Sequence, residues 1–327
     1  MTKVLIIGGG GMVGQKLLAR LMSEGLPGHD TLDITLFDIG FPPGCPDGPT
    51  QITGNLTDPA KIAQLAGLRP DLIYHLAAIV SGESETDFDK GWATNMMAMW
   101  QLLEALRAEH DASGESYVPR VIFTSYIAVF GAPYPEKIGD EFLSSPQTSY
   151  GAQKAISELM LQDFSRKGFM DGMSLRLPTI CVRPGKANLA ASSFFSGIIR
   201  EPLNGQEAIL PVPDTVRHWH ASPKSAAGFL THAATLDTAR LEGRRALSLP
   251  GFSCTVAEQI EALRRAAGQK AVDLIKPQPD EAIMKIVAGW PRNFDPARAT
   301  ALGFRAESSF DEIVETYIAE DLPRASG

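Results

Sequence analysis

A glycine-rich turn directly after an apolar segment constrains the fold of this chain more than any other feature of its sequence. Lys3–Ile7 reads KVLII, and GGGGMVG follows at positions 8–14. The glycines fit GxxGxxG from Gly8 or GxGxxG from Gly9, and both patterns end at Gly14. Such glycines allow a tight turn from a strand into a helix, where backbone N–H groups can approach a pyrophosphate. The pattern is weak by itself, and its position between a predicted strand and a predicted helix gives it weight.

The first half of the chain alternates apolar segments with amphipathic segments. The expected strands are Lys3–Ile7, Asp33–Phe37, Thr50–Thr53, Asp71–His75, Arg120–Thr124 and Met173–Leu177. The expected helices run from about Met12 to Ser23, Pro59 to Ala66, Gly91 to Glu109 and Tyr150 to Lys167. This alternation predicts an α/β fold with a doubly wound parallel sheet of the Rossmann type, covered by helices on both faces.

The pattern loosens after about Pro178, which indicates a smaller C-terminal α/β lobe. Helices are expected near Pro223–Leu236, Val256–Ala267, Asp280–Ala288, Pro296–Ala301 and Ser309–Ala319. We expect residues 1–179 to form a nucleotide-binding domain, to which the chain returns around residues 220–250. Residues 180–219 and 251–327 are expected to form a substrate-binding lobe, since a chain of this length exceeds one typical domain.

The charge of the chain argues against a nucleic-acid partner. Its formal net charge is −8 at pH 7 and its basic residues are scattered, whereas nucleic-acid binding needs a basic face. No apolar stretch approaches the roughly 18 residues that cross a bilayer, and no secretory signal is recognisable, so no membrane partner is expected. Cys45, Cys181 and Cys254 are isolated, which predicts neither a disulfide framework nor a zinc site and favours the cytoplasm.

An aspartate at the end of the second expected strand indicates which dinucleotide the turn binds. Asp38 ends the strand in DITLFDIG, and a carboxylate there can accept both ribose hydroxyls of NAD while repelling the 2′-phosphate of NADP. No arginine or lysine follows immediately to bind that phosphate. The alternative is a turn aspartate that caps the loop before Phe41. We predict NAD as the cofactor.

A tyrosine and a lysine at the start of a predicted helix form the second motif, YxxxK. Tyr150 and Lys154 are four residues apart, so both side chains lie on one helical face. An ammonium group near a phenol favours the phenolate, which predicts a lowered pKa for Tyr150 and a role as general base. Alone, the pair is more often a surface tyrosine beside a solvated lysine. Behind a dinucleotide turn, the catalytic interpretation is favoured.

At these positions the chain resembles the extended short-chain dehydrogenase/reductases, over nearly its whole length. The resemblance rests on Gly8, Gly11, Gly14, Asp38, the GNLTD turn at 54–58, HLAA at 75–78, Asn95, Tyr150, Lys154 and Arg217. It implies that the NAD-binding residues are Gly8, Gly11, Met12, Val13, Gly14, Asp38, Ile39, Asn55, Leu56, Leu76, Ala77, Ala78, Asn95, Thr124, Tyr150, Lys154, Pro178 and Thr179. Asn55 and Leu56 would lie along the adenine, and Pro178 and Thr179 would flank the nicotinamide.

Four further segments are similar to one branch of that family, the D-erythronate dehydrogenases. They are His75–Glu83 (HLAAIVSGE), Leu177–Lys186 (LPTICVRPGK), Phe194–Pro202 (FFSGIIREP) and Arg217–Pro223 (RHWHASP). The similarity implies NAD-dependent oxidation of the C2 hydroxyl of a four-carbon aldonic acid to the 2-oxo acid. Two alternatives are a nucleotide-sugar epimerase or dehydratase that retains its NAD, and a catalytically idle NAD-binding regulator.

One residue departs from the pattern of the family. A serine or threonine is expected four residues before the aromatic residue of the turn at Phe130, and this position holds Tyr126. Tyr126 could supply the usual hydrogen bond to the reacting oxygen from a displaced position, or the preceding Ser125 could shift in to do so. Otherwise the site is impaired or built for another reaction. We hypothesise that Tyr126 narrows the pocket and weakens turnover.

Four residues are predicted to contact a small hydroxy-acid or sugar-acid substrate. Arg217 can bind a carboxylate bidentately, and the alternative is a surface arginine paired with a local acid. His218, in an HxH segment with His220, is expected to hydrogen-bond substrate or to pack, and no metal site is predicted. Ser81 follows the fourth strand, at the sheet edge where open α/β sheets bind ligands. Ser192 is placed in the same region by the resemblance.

Two predicted helices carry more apolar surface than one sheet face needs. The residues concerned are Met96, Met97, Met99, Trp100, Leu102 and Leu103 on one helix and Ile156, Leu159, Met160 and Phe164 on the other. In the family that the chain resembles, such helices pair into a four-helix dimer interface. A homodimer is therefore expected, with packing inside one chain as the alternative.

Overall fold

A computed structural model describes residues 1–185 and 191–322, in which fourteen strands, thirteen α-helices and two 3-10 helices (Ile127–Val129 and Thr238–Leu241) form. The strands are β1 (Thr2–Ile7), β2 (Leu32–Asp38), β3 (Thr50–Thr53), β4 (Leu72–His75), β5 (Arg120–Tyr126), β6 (Ile138–Gly139), β7 (Asp171–Leu177), β8 (Thr179–Ile180), β9 (Ala208–Leu210), β10 (Arg217–Ala221), β11 (Ala246–Ser248), β12 (Phe252–Thr255), β13 (Ile275–Pro277) and β14 (Phe294–Asp295). The helices are α1 (Met12–Glu24), α2 (Pro59–Gly67), α3 (Ser81–Thr86), α4 (Phe88–Trp92), α5 (Ala98–Ala112), α6 (Ser149–Arg166), α7 (Ser193–Leu203), α8 (Pro223–Thr235), α9 (Val256–Ala267), α10 (Gln269–Val272), α11 (Glu281–Ala288), α12 (Ala297–Ala301) and α13 (Phe310–Glu320). One π-helical turn, Ala93–Met97, joins α4 to α5.

Seven parallel strands form the main sheet, in the spatial order β11-β7-β5-β4-β1-β2-β3. Side chains of a strand alternate between the two faces of a sheet, and β1 shows this clearly. Val4 and Ile6 pack in one core with α1 and α8, whereas Leu5 and Ile7 pack in another with α2, α5 and α6. The prediction of a doubly wound parallel sheet is therefore confirmed.

The chain returns to the main sheet after residue 220. Helix α8 packs in the same core as α1, through Phe229 and Leu230, and β11 pairs with β7 at the edge of the sheet. Strand β11, only three residues long, was not among the predicted strands. The proposed domain limits themselves stay a prediction.

The smaller lobe is built on a three-stranded sheet in which β10 is antiparallel to β12 and parallel to β8. Two short parallel pairs, β13 with β9 and β14 with β6, complete the strands. The lobe has its own apolar core, in which Phe195 and Ile198 of α7 pack with Leu263 of α9 and Val314 of α13. Lys186, the last residue of the LPTICVRPGK segment, lies outside the described residues.

Candidate active site

The glycine turn predicted from the sequence lies between β1 and α1, and its geometry requires glycine at two positions. Gly8 has a φ of +89°, and a Cβ atom there would lie 2.6 Å from the backbone nitrogen of Ala77. A Cβ atom on Gly14 would lie 2.3 Å from the carbonyl oxygen of Gly8. Gly11 donates its N–H to that same carbonyl at 3.2 Å, and α1 begins at the next residue, Met12. The chain thus enters the helix with little room beside its backbone.

A cavity of about 290 Å³ opens in front of this turn. The large domain lines it with the glycine turn, Met12, Val13 and Leu76, and the smaller lobe lines it with Arg183, Ser193 and Arg200. Backbone N–H groups at a helix N-terminus suit an anion, and a Cβ atom at Gly8 or Gly14 would collide with the backbone of Ala77 or of the turn itself and so distort this helix start. The described residues therefore fit the pyrophosphate of a dinucleotide.

Asp38, at the end of β2, lies beside the turn. Its carboxylate accepts the N–H of Gly10 at 2.9 Å and that of Ile39 at 2.7 Å. The side chain of Ile39 is exposed. Asn55 is also exposed, and its side-chain oxygen accepts the N–H of Thr57 at 3.0 Å. Leu56 is different, because its side chain is buried in the core that also contains Leu5 and Ile7.

Asn95 holds the loop after β4 in place through hydrogen bonds to its backbone. Leu76 and Ala77 open this loop, and both donate their N–H groups to the carbonyl of Ile7. Asn95 is buried in the π-helical turn, where its amide donates to the carbonyl of Ile79 and to Gln153, and its oxygen accepts the N–H of Ile79 at 2.9 Å. Asn95 was predicted among the NAD-binding residues, and the structure directs its side chain at the protein. π-Helical turns are frequent at functional sites.

Ala78 lies in the loop after β4. Ser81, a predicted substrate residue, begins α3 at the end of this loop. Both residues are half-buried. Ser81 thus follows the carboxyl end of β4, the edge where open α/β sheets bind ligands.

Tyr150 and Lys154 lie on the first turns of α6, which Thr148 caps through the N–H of Gly151 at 3.0 Å. The Lys154 ammonium is buried and donates to the carbonyl of Thr124 at 2.8 Å. It lies 5.5 Å from the centre of the Tyr150 ring.

The predicted lowering of the Tyr150 pKa is not found. Burial raises the pKa of Tyr150, and the neighbouring Tyr126 raises it further. Burial also lowers the pKa of Lys154 to about 7, against the opposing effect of Glu158. The physical reason is desolvation, which disfavours the charged form of each group.

Tyr126 lies beside Tyr150, with the two ring centres 6.0 Å apart and edge to face. Its hydroxyl is 2.5 Å from the hydroxyl of Thr179, which is 2.6 Å from Nε2 of His218. Thr179 begins β8 directly after the buried Pro178. Burial lowers the pKa of His218 to about 3, so the imidazole is neutral. A chain of hydrogen-bonding groups therefore runs from the phenol of Tyr126 into the smaller lobe.

Ser125 does not take the place of the missing family serine. Its hydroxyl donates to Glu158 at 2.5 Å, and the same carboxylate accepts two N–H groups of Arg176. Neighbouring side chains of a strand point to opposite faces, so Ser125 and Tyr126 cannot reach the same site. The suggestion that Ser125 shifts in is therefore wrong for this structure. Thr124 binds the carbonyl of His75 at 3.2 Å.

Arg217 has a local acid as its partner, and its role toward substrate stays a prediction. Its guanidinium donates to Glu258 at 3.1 Å and to the carbonyl of Ser253 at 3.0 Å, across the β10–β12 pair. This is the alternative weighed from the sequence, an arginine paired with a local acid. His218 and His220 project from the other face of β10, and His220 contacts Gln259 at 2.9 Å. In the described part of the chain, no three metal-ligating side chains cluster.

Two arginines that the sequence analysis did not select face the cleft. Arg183 follows β8 and donates to the hydroxyl of Ser192, a predicted substrate residue that is 9% exposed, at 3.2 Å. Arg200 lies on α7 and is buried. The sequence does contain a signal for Arg183, because it is a cation inside the apolar segment LPTICVRPGK. An arginine that is buried in such a segment needs a partner for its charge.

Comparisons with known proteins agree with this geometry. A family model described as "NAD dependent epimerase/dehydratase family" matches residues 4–232, which is more than half of the chain. The chain belongs to this family. The match confirms the family resemblance and the prediction of NAD as cofactor, and it covers the glycine turn, Asp38, Tyr150 and Lys154.

Three members or neighbours of this family illustrate the similarity. D-erythronate dehydrogenase of Cupriavidus necator is 44% identical, over 97% of this chain and 98% of that protein. D-erythronate dehydrogenase of Haemophilus influenzae is 40% identical, over 98% of this chain and 100% of that protein. The crystal structure of a nucleoside-diphosphate-sugar epimerase from Agrobacterium tumefaciens is 52% identical, with a TM-score of 0.93 over 98% of this chain and 94% of that chain.

Proposed function

We propose that this protein is an NAD-dependent dehydrogenase that oxidises the C2 hydroxyl of a small aldonic acid to the 2-oxo acid. D-erythronate is the first substrate to test. The observation that carries the proposal is the juxtaposition of Tyr150 and Lys154, whose ammonium lies 5.5 Å from the centre of the Tyr150 ring, in a chain whose glycine turn lines a cavity. Two relatives named D-erythronate dehydrogenase, similar over nearly the whole chain, support the substrate class.

The residues divide the chemistry between them. Oxidation removes a hydride from C2 and a proton from its hydroxyl, and NAD, when bound, supplies the ring that accepts the hydride. Tyr150 accepts the proton in its ionised phenolate form and becomes a neutral phenol. Lys154, as an ammonium, stabilises the phenolate before the transfer, and the carbonyl of Thr124 holds that ammonium in place at 2.8 Å.

NADH formation by the purified protein tests this proposal. We expect turnover with D-erythronate and NAD, and little with NADP. Nucleotide sugars serve as controls, because the neighbour from Agrobacterium tumefaciens is named an epimerase and an epimerase would convert them without net NADH. Epimerised sugar without NADH would contradict the proposal, and NAD binding without any turnover would favour the idle regulator.

Asp38 is proposed to select NAD over NADP. Replacing Asp38 with Ala should raise the Kd of NAD by about tenfold to a hundredfold, because a charged acceptor for the ribose hydroxyls is lost. NADP should bind better than it does to the parent, because the repulsion of its phosphate is removed. Calorimetric titration with both nucleotides measures the ratio.

Two further variants control this experiment. Asp33→Ala removes an exposed carboxylate from the same strand and should change neither Kd. Asp38→Asn keeps an acceptor for the N–H of Gly10, which tests whether the turn itself is intact. An unchanged preference for NAD in both Asp38 variants would contradict the assignment.

We also propose a homodimer, with an interface on α5, α6 and the π-helical turn. Of the apolar residues predicted there, Met99, Leu102 and Leu103 are fully buried within the chain. Met97, Trp100 and Leu159 remain exposed, at 44, 42 and 67%. An apolar patch of this kind is typical of a subunit contact.

The dimer is tested by light scattering after gel filtration. The parent should have the mass of two chains, and Trp100→Glu should shift it toward one, because a charge in an apolar contact is desolvated. Leu143→Glu, which alters another exposed leucine, should have no effect. A monomeric parent would contradict the proposal.

A cytoplasmic location is likewise proposed. It is supported by the three thiols, which are unpaired. None of the helices in residues 1–185 and 191–322 combines the length and the apolar character of a membrane span.

A further inference from the structure

Two guanidinium groups of the smaller lobe stand across the cavity from the glycine turn. Arg183 and Arg200 line the same cavity as Gly8, Gly11 and Gly14. The glycine turn contributes backbone N–H groups from one wall, and the arginines contribute positive charge from the other. Both walls therefore suit the same kind of ligand, an anion with several oxygens.

Arg183 is held firmly in this position. Its backbone N–H donates to the hydroxyl of Ser196 at 3.0 Å, and its carbonyl accepts an N–H of Arg200 at 2.8 Å. Its side chain donates to Ser192 at 3.2 Å. A binding group that is already ordered loses little conformational entropy when it meets its ligand.

The charge of Arg183 has no carboxylate partner within residues 1–185 and 191–322. Arg200 pairs with Glu201 at 2.5 Å, whereas the contact of the Arg183 side chain is the neutral hydroxyl of Ser192. Burial lowers the pKa of Arg183, and Arg200 adds to this effect, while Cys181 and Tyr126 oppose it. A half-buried cation without an acid beside it is less stable than a paired one unless an anion binds there.

We propose that Arg183 binds the pyrophosphate of the dinucleotide from the side opposite the glycine turn, and that Arg200 positions it. The cofactor would then be bound by both lobes, with backbone N–H groups on one side of the pyrophosphate and a guanidinium on the other. The inference rests on the proposed use of NAD in the cleft, and it is independent of which substrate is oxidised.

Titration with three ligands tests the proposal, since NAD and ADP carry a pyrophosphate and adenosine does not. In Arg183→Gln, the Kd of NAD and of ADP should rise by about tenfold to a hundredfold, because a charged hydrogen bond is lost. The Kd of adenosine should not change, and this also shows that the variant is folded. Arg264→Gln, on the exposed face of α9, is the matched control and should bind all three ligands like the parent.

Arg183→Lys keeps the charge but loses the planar fork, and it should give intermediate values for NAD and ADP. If Arg183→Gln fails to bind adenosine, the titrations are made with Arg183→Lys instead. Unchanged Kd values for NAD and ADP in the Arg183 variants would overturn the proposal. So would unchanged ADP binding with a raised KM for an aldonate, because Arg183 would then serve the substrate carboxylate. Weakened ADP binding without turnover of any aldonate by the parent would leave this proposal standing and overturn the proposed function alone.

Discussion

Replacing Tyr150 with Phe should lower turnover by about two to four orders of magnitude, the usual contribution of a positioned general base. The phenolate oxygen of Tyr150 is the group proposed to take the proton of the substrate hydroxyl, and phenylalanine keeps the ring without the oxygen. The ring also keeps its edge-to-face contact with Tyr126, so the shape of the cleft is preserved. NAD binding should change much less than turnover.

The measurement is the rate of NADH formation at saturating substrate, together with NAD titration. Tyr134→Phe is a matched control, because the Tyr134 hydroxyl binds the carbonyls of Phe130 and Gly289 and is not part of the proposed chemistry. Turnover by Tyr150→Phe at the parent rate would mean that another group takes the proton. Equal losses in both variants would indicate a general effect of removing a tyrosine hydroxyl.

Replacing Tyr126 with Ser should raise turnover, by up to about a hundredfold, which is the scale of one hydrogen bond to the reacting oxygen. In the structure the hydroxyl of Tyr126 is 2.5 Å from the Thr179 hydroxyl, and its ring stands against Tyr150. A serine would open this space and would restore the short hydroxyl that the family places there.

Tyr126→Ala separates the two parts of this expected effect, because it opens the space without adding a hydroxyl. A gain in both variants would assign the effect to space, and a gain in the serine variant alone would assign it to the hydrogen bond. If Tyr126→Ser left turnover unchanged or lowered it, the idea that Tyr126 narrows the pocket would be abandoned. Tyr126, held by Thr179 and His218, would then be taken as the hydrogen-bond donor itself.

The sequence predicted the order of strands and helices in the main sheet well, because these elements depend on local sequence patterns. All six strands expected in the first half are present, and α9 has its predicted bounds, Val256–Ala267. Helix α7 was not predicted, because Gly197 and Pro202 lower its helix propensity. Burial of Phe195 and Ile198 in the core of the smaller lobe stabilises it nevertheless.

The site was predicted less completely, because its chemistry depends on contacts between distant parts of the chain. Arg217 has the side chain expected of an anion-binding residue. The pairing of β10 with β12, however, brings Glu258, near the start of α9, beside it. Strand alternation alone could have excluded Ser125 as a substitute for Tyr126. The raised pKa of Tyr150 could not be predicted, because burial is a property of the packed molecule.

The return of the chain to the main sheet has a consequence for how the protein can be divided. A fragment ending at residue 179 would lack α8, which covers the face of the sheet that α1 shares, and would leave β7 as a bare edge. It would also expose the apolar side chains that now meet Phe229 and Leu230. The remaining fragment would keep β14 without β6, its pairing strand. Neither half is therefore a self-sufficient folding unit, and a split or a fusion within this chain has to respect an interlaced architecture instead of a linear one.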